Sequence, residues 1–315
     1  MPTIDESYAT LVRSLPIALH PIARQLPWRL GLTSSRQGGW GYFVGLHPNR
    51  ELPVYAAQAQ GRGGLCLSEG ALARYVRAHH LGGFTWLLRD RLEDGQVATD
   101  DQLLELSAIF GVAWRDALAD ATGNVTLSEL VCRRACARWR RGTEAESRVL
   151  ARGSLRPPIY AAVVREKLGW ISAPAQALLA DSWDPRRVTA FLHAHDLFLL
   201  GLQLIDDVVD ARQDRELRGG DVPSAIGCSP GALVRAAPKL LEGAAVAAAD
   251  GGFSWFAAWL EQFAHATRSW RIAGDALGDE LDAIGIAGEI EQAIVAETDP
   301  PARVHARPVA DAAPA

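Results

Sequence analysis

The sequence predicts an all-helical globular protein, and three observations lead to that prediction. A helical pattern of apolar residues starts at Ser68, a favourable N-cap residue that Glu69 follows, and it continues through most of the chain. No segment has a convincing strand pattern. The 315 residues are 49% hydrophobic and 22% charged, so the chain can bury a large core.

The predicted elements follow in chain order. Residues 1–64 are rich in Pro, Gly and Trp, which indicates short helical stretches broken at turns; we treat them as an N-terminal extension of unknown role. A helical domain is predicted over 65–297, and a Pro/Ala-rich, disordered tail over 298–315. The predicted helices span 68–94, 100–121, 128–140, 144–151, 158–168, 173–181, 185–215, 230–249 and 253–296, the last with breaks near Gly274, Gly278 and Gly285.

Charge and composition exclude several classes of protein. The net charge of -5 and the pI of about 5.9 predict no strongly basic surface for nucleic acid or anionic lipid, so phosphate recognition must be local. No apolar run reaches the roughly 18 to 20 residues of a membrane span, and the first residues lack a signal-peptide pattern. We therefore expect a cytoplasmic protein without a transmembrane segment. The four cysteines lack C-x-x-C spacing, which argues against disulfides and structural zinc.

The segment HAHDLFLLGLQLIDDVVDARQDRELRGGDVP carries a stripe of acids on an apolar helix. At about 100° of rotation per residue, Asp207, Asp210 and Asp214 fall within roughly 40° of one line. Gln203 shares that line, whereas Asp206 lies about 60° away. Neighbouring carboxylates in an apolar setting cost several kcal/mol unless cations compensate them. Mg²⁺ suits this stripe because it takes one or two carboxylates and keeps waters or phosphate oxygens as its other ligands.

A second interpretation of the stripe remains open. The acids would form a solvated helix face and pair with the neighbouring Arg212, Arg215 and Arg218, as many exposed helices do. The apolar flanks and Gln203 favour the metal site.

The motif GLQLIDDVVDARQD resembles the second aspartate-rich helix of trans-prenyl diphosphate synthases, in which a Gln precedes the aspartates by about one turn. It equally resembles the second motif of squalene and phytoene synthases, where QL is followed by a DxxxD that Asp210 and Asp214 match. Both families have the class I isoprenoid synthase fold. The resemblance therefore implies a single large helical bundle with a central active-site cavity.

That fold requires a second acidic cluster on a facing helix, and FTWLLRDRLEDGQ is the candidate. Asp90 and Asp94 lie one turn apart on one face, with Gly83 and Trp86 below them on the same line. Flanking arginines leave a surface charge cluster as the alternative.

The segment VVREKLGWISAPAQALL resembles the helix whose Lys grips diphosphate in prenyl synthases, which makes Lys167 a diphosphate ligand. Its alternative is a solvated helix end. Arg91 and Arg218 are further diphosphate candidates because guanidinium groups clamp phosphate oxygens bidentately.

The resemblance implies a mechanism in which Mg²⁺ ions bridge the two acidic clusters and the diphosphate leaving group. It implies three such ions with bound diphosphate, and Mn²⁺ could replace Mg²⁺. A carbocation then forms in an apolar cavity, where aromatic faces stabilise it. The implied catalytic residues are Asp90, Asp94, Asp207 and Asp210. The implied metal ligands are these four together with Asp206 and Asp214. The implied substrate pocket is formed by Gly83, Trp86, Phe198, Gln203 and Trp270.

Departures from the family patterns decide between its branches. The first site has no full DDxxD and no Arg-Arg after it, and the N-D-x-x-S-x-x-x-E motif of terpene cyclases is incomplete. We expect a class I terpene synthase, a lyase that ionises and cyclises a prenyl diphosphate. The alternatives are a prenyltransferase, head-to-tail or of the head-to-head squalene/phytoene kind, and a non-catalytic helical metal-binding protein. Homodimers are common in this fold.

Overall fold

The computed structural model describes residues 1–41, 51–57, 67–180, 184–268 and 279–297. Within these ranges every regular element is a helix and none is a strand, which confirms the all-α prediction. Trp270, Gly274 and Gly278 lie outside the described residues, as does the tail that was predicted over 298–315.

The N-terminal segment forms short helices, as its turn-rich composition predicts. They are α1 (Ile4–Ser14), a 3₁₀ turn (Ile17–Leu19), α2 (His20–Arg24), α3 (Leu26–Arg29) and α4 (Leu52–Ala57). Helix α1 begins with a capping box: the Thr3 hydroxyl accepts a hydrogen bond from the Glu6 N–H, and the Glu6 carboxylate accepts one from the Thr3 N–H.

The rest of the described chain forms a bundle of longer helices. They are α5 (Glu69–Glu93), α6 (Asp101–Thr122), α7 (Val125–Arg152), α8 (Pro157–Leu168), α9 (Ala173–Ala180), α10 (Pro185–Arg218), α11 (Val222–Ile226), α12 (Pro230–Asp250), α13 (Ser254–Thr267) and α14 (Asp279–Glu297). The long α10 has a signal at each end. Asp184 caps it, Pro185 occupies its first position, and Gly219 ends it with φ of 76°.

Two predicted helix breaks are wrong. The segments predicted over 128–140 and 144–151 are one helix, α7, which passes through Gly142. A Cβ at Gly142 would lie 2.7 Å from the Cα of Lys167, so this glycine permits α8 to approach α7 and does not end the helix. Helix α14 likewise continues through Gly285.

One hydrophobic core joins these elements. Helix α10 packs mainly against α12, which also contacts α13 and α14, while α5 packs against α6 and α7 against α8. Residues of the N-terminal segment belong to the same core: Tyr8 and Trp40 have ring centroids 4.9 Å and 4.7 Å from Phe84 of α5.

Among the described residues, α10 is the one helix long and apolar enough to cross a membrane, with a mean hydropathy of 1.5 over its most apolar window. Buried residues such as Phe191, Leu200 and Leu204 place it in the protein core. Because core helices of soluble proteins have the same length and composition, this is weak evidence for a membrane span.

Candidate functional site

The two aspartate-rich helices meet around two basic side chains. The Nζ of Lys167, on α8, lies 3.4 Å from Asp90 Oδ1 and 3.5 Å from Asp94 Oδ2, both at the C-terminal end of α5. Arg218, at the end of α10, lies with Nη2 2.5 Å from Asp94 Oδ1 and with Nη1 3.8 Å from Asp214 Oδ1. The structure therefore brings together acids and bases that the sequence assigned to separate motifs.

Glu146 of α7 completes this charged cluster, and the sequence analysis missed it. Its Oε2 lies 2.9 Å from both Lys167 Nζ and Arg218 Nη2, and its side chain is only 12% exposed. The signal was present in the spacing: Trp139, Gly142 and Glu146 follow one another at three and four residues, so a continuous helix places all of them on its inner face. The helix break predicted near Gly142 concealed that pattern.

Glu146 and Lys167 hold each other in their ionised forms, whereas burial raises the pKa of Asp94. Burial acts to raise the pKa of Glu146, but the charges of Lys167 and Arg218 outweigh it, and the pKa lies below its ordinary value. Burial acts to lower the pKa of Lys167, yet the charges of Asp90, Glu146 and Asp94 hold that pKa above its usual range. Glu146 and Lys167 are therefore both ionised throughout the physiological pH range.

Asp207 is held by hydrogen bonds from α8 and from its own helix. Its Oδ2 accepts a 2.7 Å hydrogen bond from the Tyr160 hydroxyl, and its Oδ1 accepts one of 2.7 Å from Gln203 Nε2. Burial raises the pKa of Asp207 to about 8, although both hydrogen bonds act to lower it. Gln203 thus positions Asp207, and Tyr160 is a second partner that the sequence analysis missed.

Asp206 and Asp210 are acids without a paired cation. Among the described residues, no basic group lies within ion-pair distance of either carboxylate. Asp206 reaches solvent at the rim of the cluster, but the protein atoms around it still raise its pKa to about 6, and the charge of Asp210 adds to the shift. The charges of Arg91 and Lys167 oppose it.

Hard oxygen donors of this kind fit a magnesium ion. In the described part of the chain, no three His, Cys, Asp or Glu side chains already form a metal-binding group. Mg²⁺ needs only one or two carboxylates and completes its shell with waters and substrate oxygens. Asp206 and Asp210 offer such a pair, because no basic group of a described residue lies within ion-pair distance of either carboxylate.

The predicted pocket residues have different environments. Trp86 is 1% exposed and stacks on Trp170, with ring centroids 5.6 Å apart, and Phe198 is fully buried against the Trp259 ring. A Cβ placed on Gly83 would meet nothing within 4 Å, so open space adjoins that position. Trp270 lies outside the described residues.

A separate cavity of about 750 Å³ lies between α10, α12 and α14. Thr189, His193, Leu197, Gly243 and Glu291 are among the side chains and backbone atoms that line it. None of the residues predicted for the metal site, for diphosphate or for the pocket is part of this lining.

Comparisons with family models, with curated proteins and with solved structures gave no match to this chain. The fold and the site alone define the class to which it can be assigned: an all-helical protein in which the acids of two helices meet around a buried Lys and Arg.

Proposed function

We propose that the protein is a class I terpene synthase, with a bundle of the isoprenoid synthase type, that uses Mg²⁺ to ionise and cyclise a prenyl diphosphate and releases diphosphate. One observation carries the proposal. Asp90 and Asp94 of α5 face the acids of α10 across Lys167 and Arg218, while Asp206 and Asp210 have no cation of their own. An arrangement with both excess carboxylates and buried basic groups suits a metal-bound diphosphate.

The acids and the bases take different roles in this proposal. Asp206 and Asp210, with Asp90 opposite, would hold the metal, which supplies the positive charge that stabilises diphosphate as a leaving group. Lys167 and Arg218 would donate hydrogen bonds to diphosphate oxygens and exchange their present carboxylate partners for them. Asp207, held by Tyr160 and Gln203, would orient α10 against α8.

The apolar part of the substrate would enter between α5 and α10. Gly83 leaves open space one turn below Trp86, and both lie on the line that leads to Asp90. Trp170, which stacks on Trp86, would offer its other ring face to a carbocation, an effect of about 0.5 to 2 kcal/mol, since Arg89 already lies 5.0 Å over the Trp86 ring. Exclusion of water by this packed interior would prevent the cation from being quenched to an alcohol.

The test is release of diphosphate from prenyl diphosphates of increasing chain length, with and without Mg²⁺, combined with product analysis by gas chromatography. We expect Asp206→Asn and Asp210→Asn to lower the Mg²⁺-dependent rate at least a hundredfold, because each removes a carboxylate that would hold the metal. Asp116→Asn is the matched control: its carboxylate is 71% exposed on α6. Equal rates in all three variants, or no release by the unmodified protein, would contradict the proposal.

The second candidate is a non-catalytic helical protein, which the internal ion pairs favour. Lys167 and Arg218 already neutralise part of the acidic cluster, so these ion pairs could serve only to hold the helices together. A condensing prenyltransferase is separated in the same assay: addition of isopentenyl diphosphate would then yield longer chains, whereas a cyclase makes hydrocarbon from one substrate.

A further inference from the structure

One face of α7 carries a row of exposed arginines. The arginine face consists of Arg133, Arg134, Arg140, Arg141, Arg148 and Arg152. At about 100° per residue these positions fall within a sector of about 120°, opposite the buried Trp139 and Leu150. From first to last they extend over about 28 Å at 1.5 Å per residue. The acidic net charge of the whole chain gives no indication of this local basic surface.

The arginine face keeps a net positive charge within the protein. Arg141 pairs with Glu166 at 2.6 Å. For the other five, no carboxylate of a described residue lies within 4 Å, although Glu129 and Glu144 are exposed on the same side of the helix. Glu129 and Glu144 lie four residues from Arg133, Arg140 and Arg148, so two acids offset part of the charge of the six arginines, and only Arg148 and Arg152 are like charges at that spacing. The arginine face can therefore bind anions from outside the protein.

We propose that the arginine face docks the protein onto the surface of a bilayer that contains anionic lipid. A cluster of this size on one side of an amphipathic helix is the pattern that attracts phospholipid headgroups, and guanidinium groups bind phosphate oxygens bidentately. Because the arginine face follows the axis of α7, it can meet a plane along the whole length of the helix. Two apolar side chains in the first turns of α7 and α8 are also exposed: Val125 by 63% and Ile159 by 41%.

Nucleic acid fits this surface less well. Proteins that bind single strands place aromatic side chains among their basic residues so that bases can stack. The single aromatic residue of α7, Trp139, is buried in the core. Duplexes are gripped by elements that enter a groove, whereas here the basic side chains extend from the outer side of a helix that is packed into a bundle.

The docking surface is independent of the proposed function. Glu146, the residue of α7 that belongs to the charged cluster, lies on the opposite side of the helix from Arg133 and Arg148. A bilayer against the arginine face would therefore leave Lys167 and Arg218 uncovered, and substitution of exposed arginines would leave the cluster intact.

Co-sedimentation with vesicles tests the proposal on the full chain. The probes are phosphatidylcholine vesicles with and without phosphatidylglycerol, at low ionic strength and after addition of NaCl. We expect binding only to the vesicles with phosphatidylglycerol, and a decline as salt is added. Combined Arg133→Gln, Arg140→Gln and Arg148→Gln should lower the partition coefficient about a hundredfold, since each basic residue contributes about fivefold.

The matched control removes the same charge elsewhere. Arg24, Arg74 and Arg77 are exposed and lie on α2 and α5, so their combined change to Gln should leave vesicle binding nearly unchanged. Circular dichroism would verify that both triple variants fold. No binding by the unmodified chain, or an equal loss in both variants, would overturn the proposal. So would binding to duplex RNA or polyglutamate without any binding to vesicles.

Discussion

Lys167 is enclosed by three carboxylates, those of Asp90, Asp94 and Glu146, and its side chain is 12% exposed. Removal of one partner from a buried ion pair costs about 3 to 5 kcal/mol because the remaining charges stay buried without compensation. We expect Lys167→Met to lose stability in that range in urea unfolding. The exposed Arg77 provides the control, since Arg77→Met should change stability by less than about 0.5 kcal/mol.

Addition of Mg²⁺ gives that variant a second readout. If the acids of the cluster bind the ion, Mg²⁺ should stabilise Lys167→Met more than the unmodified protein, because the metal then replaces the missing cation. A loss below about 1 kcal/mol would show that the lysine is a peripheral charge.

His195 makes stability depend on pH. It is fully buried, and neither ring nitrogen has a hydrogen-bond partner among the described residues. Burial lowers its pKa from 6.5 to about 3, with the charges of His79 and Arg138 adding to the shift. Between these values the unfolded chain binds a proton that the folded protein does not, so this residue lowers stability as the pH falls through 6.5.

We expect His195→Leu to remove about 2 kcal/mol of the stability lost between pH 7 and pH 5, because the variant lacks the protonation of the unfolded chain at this position. Urea unfolding at both pH values measures the effect. Parallel pH profiles for the variant and the unmodified protein would contradict it.

Some residues of the candidate site could be predicted from the sequence. The motifs of α5, α8 and α10 singled out Asp90, Asp94, Lys167 and Arg218, and the structure places them within one cluster. Tyr160 and Glu146 could not be found in this way, because each owes its role to a neighbouring helix and not to a motif of its own.

At the level of whole helices, the sequence predicts which residues of α10 share a face. It does not predict which neighbouring helix each face meets. The helical period correctly separates Asp206 from Asp207 by about 100°. Only the packing of α8 shows that Asp207 faces Tyr160, and that Asp206 is left at the rim. The single-helix pattern therefore ranked Asp207 above Asp206 as a metal ligand, whereas the contacts favour Asp206 and Asp210.

Gly142 sets the distance between α7 and α8. A Cβ there would lie 2.7 Å from the Cα of Lys167 and closer still to its backbone nitrogen, and backbone cannot move aside as the end of a side chain can. We expect Gly142→Ala to destabilise the protein by about 1 to 3 kcal/mol through overpacking. Gly285→Ala is the control within α14: no atom lies within 4 Å of the added Cβ, so it should be neutral or slightly stabilising. Thermal unfolding of both variants decides between overpacking and simple helix propensity.

On the scale of the molecule, the N-terminal helices share the core of the bundle. Trp40 has no exposed surface and packs on Tyr8 and Phe84. We expect Trp40→Ala to cost about 3 to 5 kcal/mol in a single cooperative unfolding transition. Trp255→Ala, at a side chain that is 64% exposed, should cost less than about 1 kcal/mol. Two separate transitions would show that residues 1–41 unfold on their own.

The sequence indicated the short helices of this N-terminal segment but no role for them. Their contribution depends on contacts between residues far apart in the chain, such as Tyr8 with Phe84, and neither periodicity nor capping signals contain that information.

The ion pairs of Lys167 and Arg218 with Asp94 and Glu146 join α5, α7, α8 and α10 directly. A chelator should therefore leave the melting temperature of the protein within about 1 °C of its value in Mg²⁺, in contrast to proteins that fold around a structural ion. A large drop on chelation would contradict this expectation. If it holds, the four helices fold and pack before any metal binds, and on the proposed function the metal would be required for catalysis and not for folding.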